Sequence, residues 1–296
     1  MAGGELRGGI LRQLFPWIAS LRKRGLAGWT TLAGSVIVAS ISVMTLAAPW
    51  ISPHDPTAIG LGKPPHPSAP SADFPMGTNH LGMDMLSRVF WGGSTMLQVA
   101  IISVLVCLVV GVPIALLASY SGGILDKGTS LVMDSIYAFP GLVLAISIAA
   151  MLGPGVVNMA LSIGVVYIPS YFRVVRSQVL SIKELPYVEA ARTIGVRDRS
   201  VLFRYILPNV VPSVVVIATI NFADAILTAA GLTFVGLGIS VGIPDWGWDL
   251  TWGRQYLTTG SWWIIAFPGL MIVLLALGFT MLGEGLSELL NPRLEE

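Results

Sequence analysis

The sequence predicts an all-α integral membrane protein with six transmembrane helices. Composition, the number of long apolar runs and the placement of the basic residues carry that prediction. Of 296 residues, 54% are hydrophobic and 11% charged, and the mean hydropathy is +0.78. A soluble domain has about 45–50% apolar and about 25% charged residues. The net charge of +1 gives no case for nucleic acid or an acidic ligand. The single cysteine, Cys107, lies inside an apolar run, which excludes an intrachain disulfide and a cysteine metal cluster.

A helix needs about 20 residues to cross a hydrocarbon core, and six apolar runs are that long: 28–48, 94–120, 129–152, 156–180, 210–235 and 261–284. The first follows a basic segment, 1–27, with Arg7, Arg12, Arg22, Lys23 and Arg24. No small-residue cleavage site leads from it into a polar mature chain, so it reads as a retained span. Segment 49–93 carries Pro49, Pro53, Pro56, Pro64, Pro65, Pro67, Pro70 and Pro75. It cannot be continuous helix, since proline removes a backbone donor and clashes with the preceding turn, and it reads as an extracytoplasmic cap. Five spans follow within 94–285. The third and fourth are separated only by Gly153-Pro154-Gly155, a turn that makes them antiparallel. A charged loop, 183–209, separates the fourth from the fifth, an external loop, 236–260, separates the fifth from the sixth, and 286–296 is the tail. With the N-terminus inside, fourteen Lys and Arg face the cytoplasm, while Lys63, Arg88 and Arg254 fall outside. That bias follows the positive-inside rule and places both termini in the cytoplasm.

The loop KELPYVEAARTIGVRDRSVLFRYILPN at 183–209 is the most informative stretch. Pro186 suits the first turn of a helix, Glu189 sits where the dipole favours a carboxylate, and Gly195 permits the left-handed turn that ends such a helix. Ala190 and Ala191 are small enough for a partner surface to approach the backbone. A second short helix is expected at about 198–206, with fixed positive charge from Arg192, Arg197, Arg199 and Arg204. An amphipathic helix lying on anionic lipid is the alternative reading.

No Walker A or HExxH sequence occurs, so neither P-loop ATP hydrolysis nor a zincin site is indicated. Gly238-Ile239-Ser240-Val241-Gly242 matches G-x-S-x-G, but it follows an apolar helical run and lacks the strand-to-turn context of a nucleophile elbow. His54, His66 and His80 lack metal-ligand spacing and read as surface residues. Within spans, ionisable residues are functional candidates, which selects Asp134 and Asp224. Asp134 lies near the inner end of its span and suits helix positioning. Asp224 lies nearer mid-span and suits either the pore or a pairing with another chain. Arg173 and Arg176 read as snorkelling to the interface. Pro140 and Pro169 are expected to kink their spans, lining a cavity or packing against neighbours. Trp246, Trp248, Trp252, Trp262 and Trp263 read as an interfacial aromatic belt.

Glu189-Ala190-Ala191, three further residues, Gly195, and then Leu207-Pro208 resemble the EAA signature of ATP-binding-cassette (ABC) importer permeases. The wording EAARTIGVRDRSVLFRYILPN is similar to the C-type permease of the dipeptide/oligopeptide/nickel branch. Tyr205 replaces the isoleucine of the general signature, with Ile206 beside it. Further matches are Gly77-Thr78, Leu81-Gly82, Asp84, Ser87-Arg88, Met133-Asp134, Ala138-Phe139-Pro140, Leu237-Gly238, Trp246-Gly247, Leu282-Gly283 and Asn291-Pro292-Arg293. Met83 and Ala229 depart from the branch, which often has arginine and an acidic residue there.

The resemblance implies a type I ABC importer permease fold in a bacterial-type inner membrane. It implies a coupling helix formed by Glu189, Ala190, Ala191, Arg192, Gly195, Arg197, Leu207 and Pro208 that docks in a cleft of an ATPase subunit. This chain would hold no cofactor, and ATP and Mg would be bound by two partner ATP-binding subunits or domains. A homologous B-type permease would complete the pore, an extracytoplasmic solute-binding protein would deliver the substrate, and membrane lipid would surround the spans. The implied substrate is a di- or oligopeptide, with nickel or another small solute as the alternative. Other classes are an intramembrane hydrolase dependent on Ser240 and a passive channel or scaffold without energy coupling. A hydrolase would tolerate change at Glu189 and Gly195, whereas a permease would not.

Overall fold

The computed structural model describes residues 25–62, 64, 67–239 and 242–290. Ser240, His66, the basic residues of segment 1–27 and Arg293 lie outside them. Among the described residues the regular structure is helical, with one isolated antiparallel bridge between Thr78 and Asp84. Five helices are long and apolar enough to cross a membrane, and a bent pair makes six if counted as one span. The chain is therefore a multi-pass membrane protein.

In chain order the elements are α1 (Gly25–Ile51), α2 (Met85–Ser121), α3 (Gly123–Tyr137), α4 (Gly141–Leu152), α5 (Val156–Ile182), α6 (Pro186–Thr193), α7 (Asp198–Phe234), α8 (Trp246–Gly253) and α9 (Trp263–Leu290). Helices α3 and α4 meet at 89°. Pro140 breaks them apart: it has no N–H for the ladder and pushes Phe139 away from helical geometry. Pro169 lies inside the 27-residue α5, which continues through it.

Helices α2 and α7 each contain a π-helical stretch, Cys107–Gly111 and Val201–Ile206. Each stands just before a proline, Pro113 or Pro208. A widened turn relieves the clash between the proline ring and the carbonyl four residues back, so the helix passes the proline without stopping. The second short helix expected at 198–206 is therefore the start of α7, continuous with its span.

Helices α1 and α9 pack closely through small residues. A Cβ on Gly34 would lie 2.6 Å from the Gly278 carbonyl oxygen and from the Leu282 nitrogen, the close backbone approach that small residues give membrane helices. Two apolar clusters fill the bundle. One gathers Met96, Ala145, Ile163, Ile226 and Leu275 towards the end carrying α8. The other gathers Leu116, Val175, Val179, Val188, Val201 and Ile206 at the end carrying α6.

The proline-rich segment folds as an ordered cap over the α8 end. Gly60 and Leu61 donate backbone hydrogen bonds to the carbonyls of Leu81 and Gly82, at 2.9 and 3.0 Å. Asp84 caps α2, accepting from the Ser87 N–H at 3.0 Å and the Ser87 hydroxyl at 2.6 Å. Arg88, one turn on, is fully buried and donates through Nε to both Asp249 carboxylate oxygens, at 2.8 and 3.0 Å. Its Nη1 donates to the Pro56 carbonyl at 3.0 Å, and its guanidinium lies 4.9 Å over the Trp248 ring. One side chain thus joins the cap, α2 and α8.

The tryptophans belong largely to this assembly rather than to an interfacial belt. Trp246, Trp248 and Trp263 are buried. Trp246 donates to the Val89 carbonyl at 3.0 Å and Trp263 to the Thr78 carbonyl at 3.1 Å. Trp262, 54% exposed, keeps the belt character.

Burial raises the pKa of Asp249, and the Arg88 charge opposes that rise. A carboxyl whose folded pKa lies above its unfolded value supports folding while protonated, and that support is lost as the pH rises through the folded pKa. Arg88→Met leaves Asp249 buried and unpaired, and the expected cost is about 3–5 kcal/mol. Thermal unfolding in detergent should show a larger loss at pH 8 than at pH 5. A loss independent of pH would contradict this role for the pair.

Candidate functional site

The loop between α5 and α7 forms a short helix held rigidly to the bundle. Leu185 is extended, Pro186 occupies the first turn of α6, and Glu189 lies in that same turn. Helix α6 closes on Gly195, whose φ is +81°. The Gly195 N–H donates to the Arg192 carbonyl at 2.9 Å and the Val196 N–H to the Ala191 carbonyl at 3.1 Å. This pair of bonds is the Schellman closure, and its left-handed residue is one that glycine adopts without a Cβ penalty. Space around a Gly195 Cβ is open, so backbone conformation and bulk at the surface, rather than internal packing, constrain this position.

Helix α6 has two unlike faces. Val188 is fully buried and Ala191 nearly so, with Val188 packed beside Val179, Ile182, Val201, Leu202 and Ile206. Glu189, Ala190, Arg192 and Gly195 are exposed, and so is Arg197 just beyond. Of the two alanines expected to face a partner, Ala190 is exposed, whereas Ala191 is turned into the bundle. The residue that sequence reasoning passed over is Ile194, 80% exposed at the tip of the loop. Its signal was an apolar residue directly before the turn glycine. Leu207 and Pro208 lie within α7, Leu207 partly buried and Pro208 exposed, and the Leu207 N–H reaches back to the Leu202 carbonyl across the π turn.

Polar contacts brace the loop against neighbouring helices. The Tyr120 hydroxyl at the end of α2 donates to Asp198 Oδ1 at 2.5 Å, and the Arg192 guanidinium lies 5.1 Å over the Tyr120 ring. Lys183 Nζ donates to the Ser119 carbonyl at 3.3 Å. On the other side, Asn209 Nδ2 donates to the Tyr205 carbonyl at 2.7 Å and to the Tyr187 hydroxyl at 3.2 Å. The loop is thereby tied to α2 and α7 as well as to its own helix α5.

Asp134 pairs with Arg173 at 2.9 Å, and Arg173 also lies 3.9 Å over the Tyr137 ring. Arg176 grips Asp126 through Nε and Nη2, both at 2.7 Å. The two arginines expected to snorkel are therefore paired, and they fasten α3 to α5. Asp126 stands outside the apolar run 129–152, so the span pattern gives no sign of its pairing. Asp224 is half-buried well inside α7. The Tyr167 hydroxyl lies 2.8 Å from Thr228 Oγ1 and 3.3 Å from the Asp224 carbonyl oxygen. Among the described residues no group of three or more His, Cys, Asp and Glu side chains is placed to hold a metal ion.

Residues 111–296 match the family model described as "binding-protein-dependent transport system inner membrane component". The dipeptide transport system permease protein of Alkalihalophilus pseudofirmus is 35% identical over 95% of this chain and 91% of its own. The di/tripeptide transport system permease protein of Pseudomonas aeruginosa is 36% identical over 89% of this chain and 88% of its own. The glutathione transport system permease protein of Pectobacterium atrosepticum is 38% identical over 76% and 75% respectively. Among solved structures, a chain of the inward-facing MetNI methionine ABC transporter aligns with a TM-score of 0.57. It covers 70% of this chain and 98% of that one at 19% identity, a likeness of fold alone.

Tyr120→Phe removes the bond to Asp198, an exposed contact worth about 1 kcal/mol. Amide hydrogen exchange across 186–200 should accelerate about fivefold, the factor that this energy sets, while the interior of α5 keeps its protection. Unchanged exchange in the loop would show that the hydroxyl does not brace it.

Proposed function

The chain belongs to the family of binding-protein-dependent transport system inner membrane components, and from that membership we propose that it is the permease subunit of an ATP-driven importer of di- or oligopeptides. The peptide assignment draws on the relatives, two of which are named for di- or tripeptide transport and one for glutathione. The observation that carries the mechanism is α6: an exposed helix with a small-residue surface, seated on a buried apolar face between two membrane-crossing helices.

In this reading Glu189, Ala190, Arg192, Ile194 and Gly195 enter a cleft on an ATPase subunit at the cytoplasmic face, and both chain termini lie on that side. Two ATP-binding subunits or domains bind ATP and Mg, close, and push α6. Because Val188 ties α6 to α5 and α7, the push moves spans rather than bending a loop. Rigid elements with two discrete arrangements then switch access from one side to the other. This chain supplies half of the pore, a homologous B-type permease supplies the rest, and a solute-binding protein delivers peptide to the cap built from segment 52–84 and α8. Leu207, Pro208 and Arg197 act as the stiff joint through which α6 turns α7.

Glu189→Lys puts a cation where the helix dipole disfavours it, and Gly195→Val forces a β-branched residue into a left-handed conformation that costs about 1–2 kcal/mol. In the reconstituted complex both variants should insert and bind peptide-loaded binding protein, yet lose at least about tenfold of peptide-stimulated ATP hydrolysis, equivalent to about 1.4 kcal/mol of coupling. Full stimulation in both variants would sink this assignment of α6.

A further inference from the structure

At the end of the bundle that carries α6, helices α5, α7 and α9 line an open cavity of about 730 Å³. Gln178, Asn209, Ser213 and Ser287 give its wall a polar, uncharged character, and Val174 and Ile220 line it further in. This volume falls in the range of about 300–1,000 Å³ typical of small-molecule sites. The same helix faces continue past the cavity. Asp224 stands one turn beyond Ile220 on α7, and Tyr167 stands two turns before Val174 on α5, since residues four and seven apart share a helix face. There the two helices are joined by the contact of the Tyr167 hydroxyl with Thr228 Oγ1 at 2.8 Å.

Asp224 differs from the other two carboxylates of the apolar runs and their margins that the structure pairs. Asp126 holds Arg176 and Asp134 holds Arg173, whereas the Asp224 carboxylate has neither an ion pair nor a hydrogen bond among the described residues. Placing an acidic residue at the centre of a membrane helix costs about 2.5–3.5 kcal/mol, and a cation arriving at the carboxylate offsets that cost. The Tyr167 hydroxyl, against the Asp224 backbone carbonyl, and the Thr228 hydroxyl, one turn on from Asp224, add acceptors for a group with several N–H donors.

We infer that Asp224, with Tyr167 and Thr228, forms a binding site for a primary ammonium group carried by the transported molecule, reached through the cavity lined by Gln178 and Ser213. The inference rests on the importer reading, since a peptide brings such a group at its N-terminus. The uncharged wall leads the backbone amides along the cavity without selecting side chains, and the carboxylate holds the charged end.

The test uses the assembled complex with Ile220→Cys in a Cys107→Ser background, alkylated by a neutral maleimide. Millimolar glycylglycine or butylammonium should slow alkylation at least about fivefold, as a ligand well above its dissociation constant does. N-acetylglycylglycine and potassium at equal concentration should not. Adding Asp224→Asn should abolish the protection and Asp224→Glu should retain part of it. Equal protection by the acetylated peptide, protection that survives Asp224→Asn, or an introduced thiol closed to reagent in the complex would each overturn the site. A failed importer reading is recognised separately, because the unsubstituted complex would then show no peptide-stimulated ATP hydrolysis.

Discussion

Force can enter a membrane bundle through a surface helix only if that helix moves as one body with the spans beside it. The contact that meets this condition is the burial of Val188 of α6 among Val179, Ile182, Val201, Leu202 and Ile206, with Ala191 buried on the same helix. Burying a valine side chain is worth about 1.5–3 kcal/mol, so Val188 alone gives α6 a firm seat. Gly195 closes the helix without bulk, the Arg192 guanidinium of α6 lies over the Tyr120 ring of α2, and Asn209 of α7 donates to the Tyr187 hydroxyl of α6. The exposed face of α6 is left free because the seat is made on the other face, and Ile194 stands exposed at the tip.

The two ends of the bundle are stiffened by different physics. At the α6 end, apolar packing is continuous from α2 through α5 and α6 to α7, and α3 is fastened to α5 by two arginine–carboxylate pairs. At the other end a single buried guanidinium joins the cap, α2 and α8, and the Trp246 and Trp263 N–H groups donate to the Val89 and Thr78 carbonyls. Between them the spans are uninterrupted except at Pro140, where the 89° bend lies. The proline-associated π turns in α2 and α7 preserve continuity where an ordinary α-helix would be broken. In the proposed importer this continuity lets a displacement of α6 reach the cavity wall on α7, and it places Asp224 on the element that moves.

Much of this was legible in the sequence because membrane spans announce themselves by length and apolarity. The loop at 183–209 was legible because Pro186, Glu189 and Gly195 each have a positional meaning at a helix end. What the sequence hid were contacts between residues far apart. Arg88 reads as an external cation until Asp249 is placed beside it. Trp246 and Trp263 read as belt residues until their indole N–H groups meet Val89 and Thr78. The start of α7 reads as a separate polar helix because its arginines face outward, while Val201, Leu202 and Ile206 turn inward and carry the span onward. Ala191 and Ala190 look alike in sequence, and only the packing of α6 separates a seat residue from a surface one.

The central claim is that α6 meets a nucleotide-hydrolysing subunit and moves when that subunit closes. The most direct measurement places a single cysteine at Ala190 in a Cys107→Ser background and cross-links it to a cysteine in the cleft of the copurified ATPase chain. The account requires an efficient cross-link whose formation changes with ATP. A labelled Ala190 position that is accessible only from the opposite side of the membrane, or a complex in which it never contacts the ATPase, would contradict it.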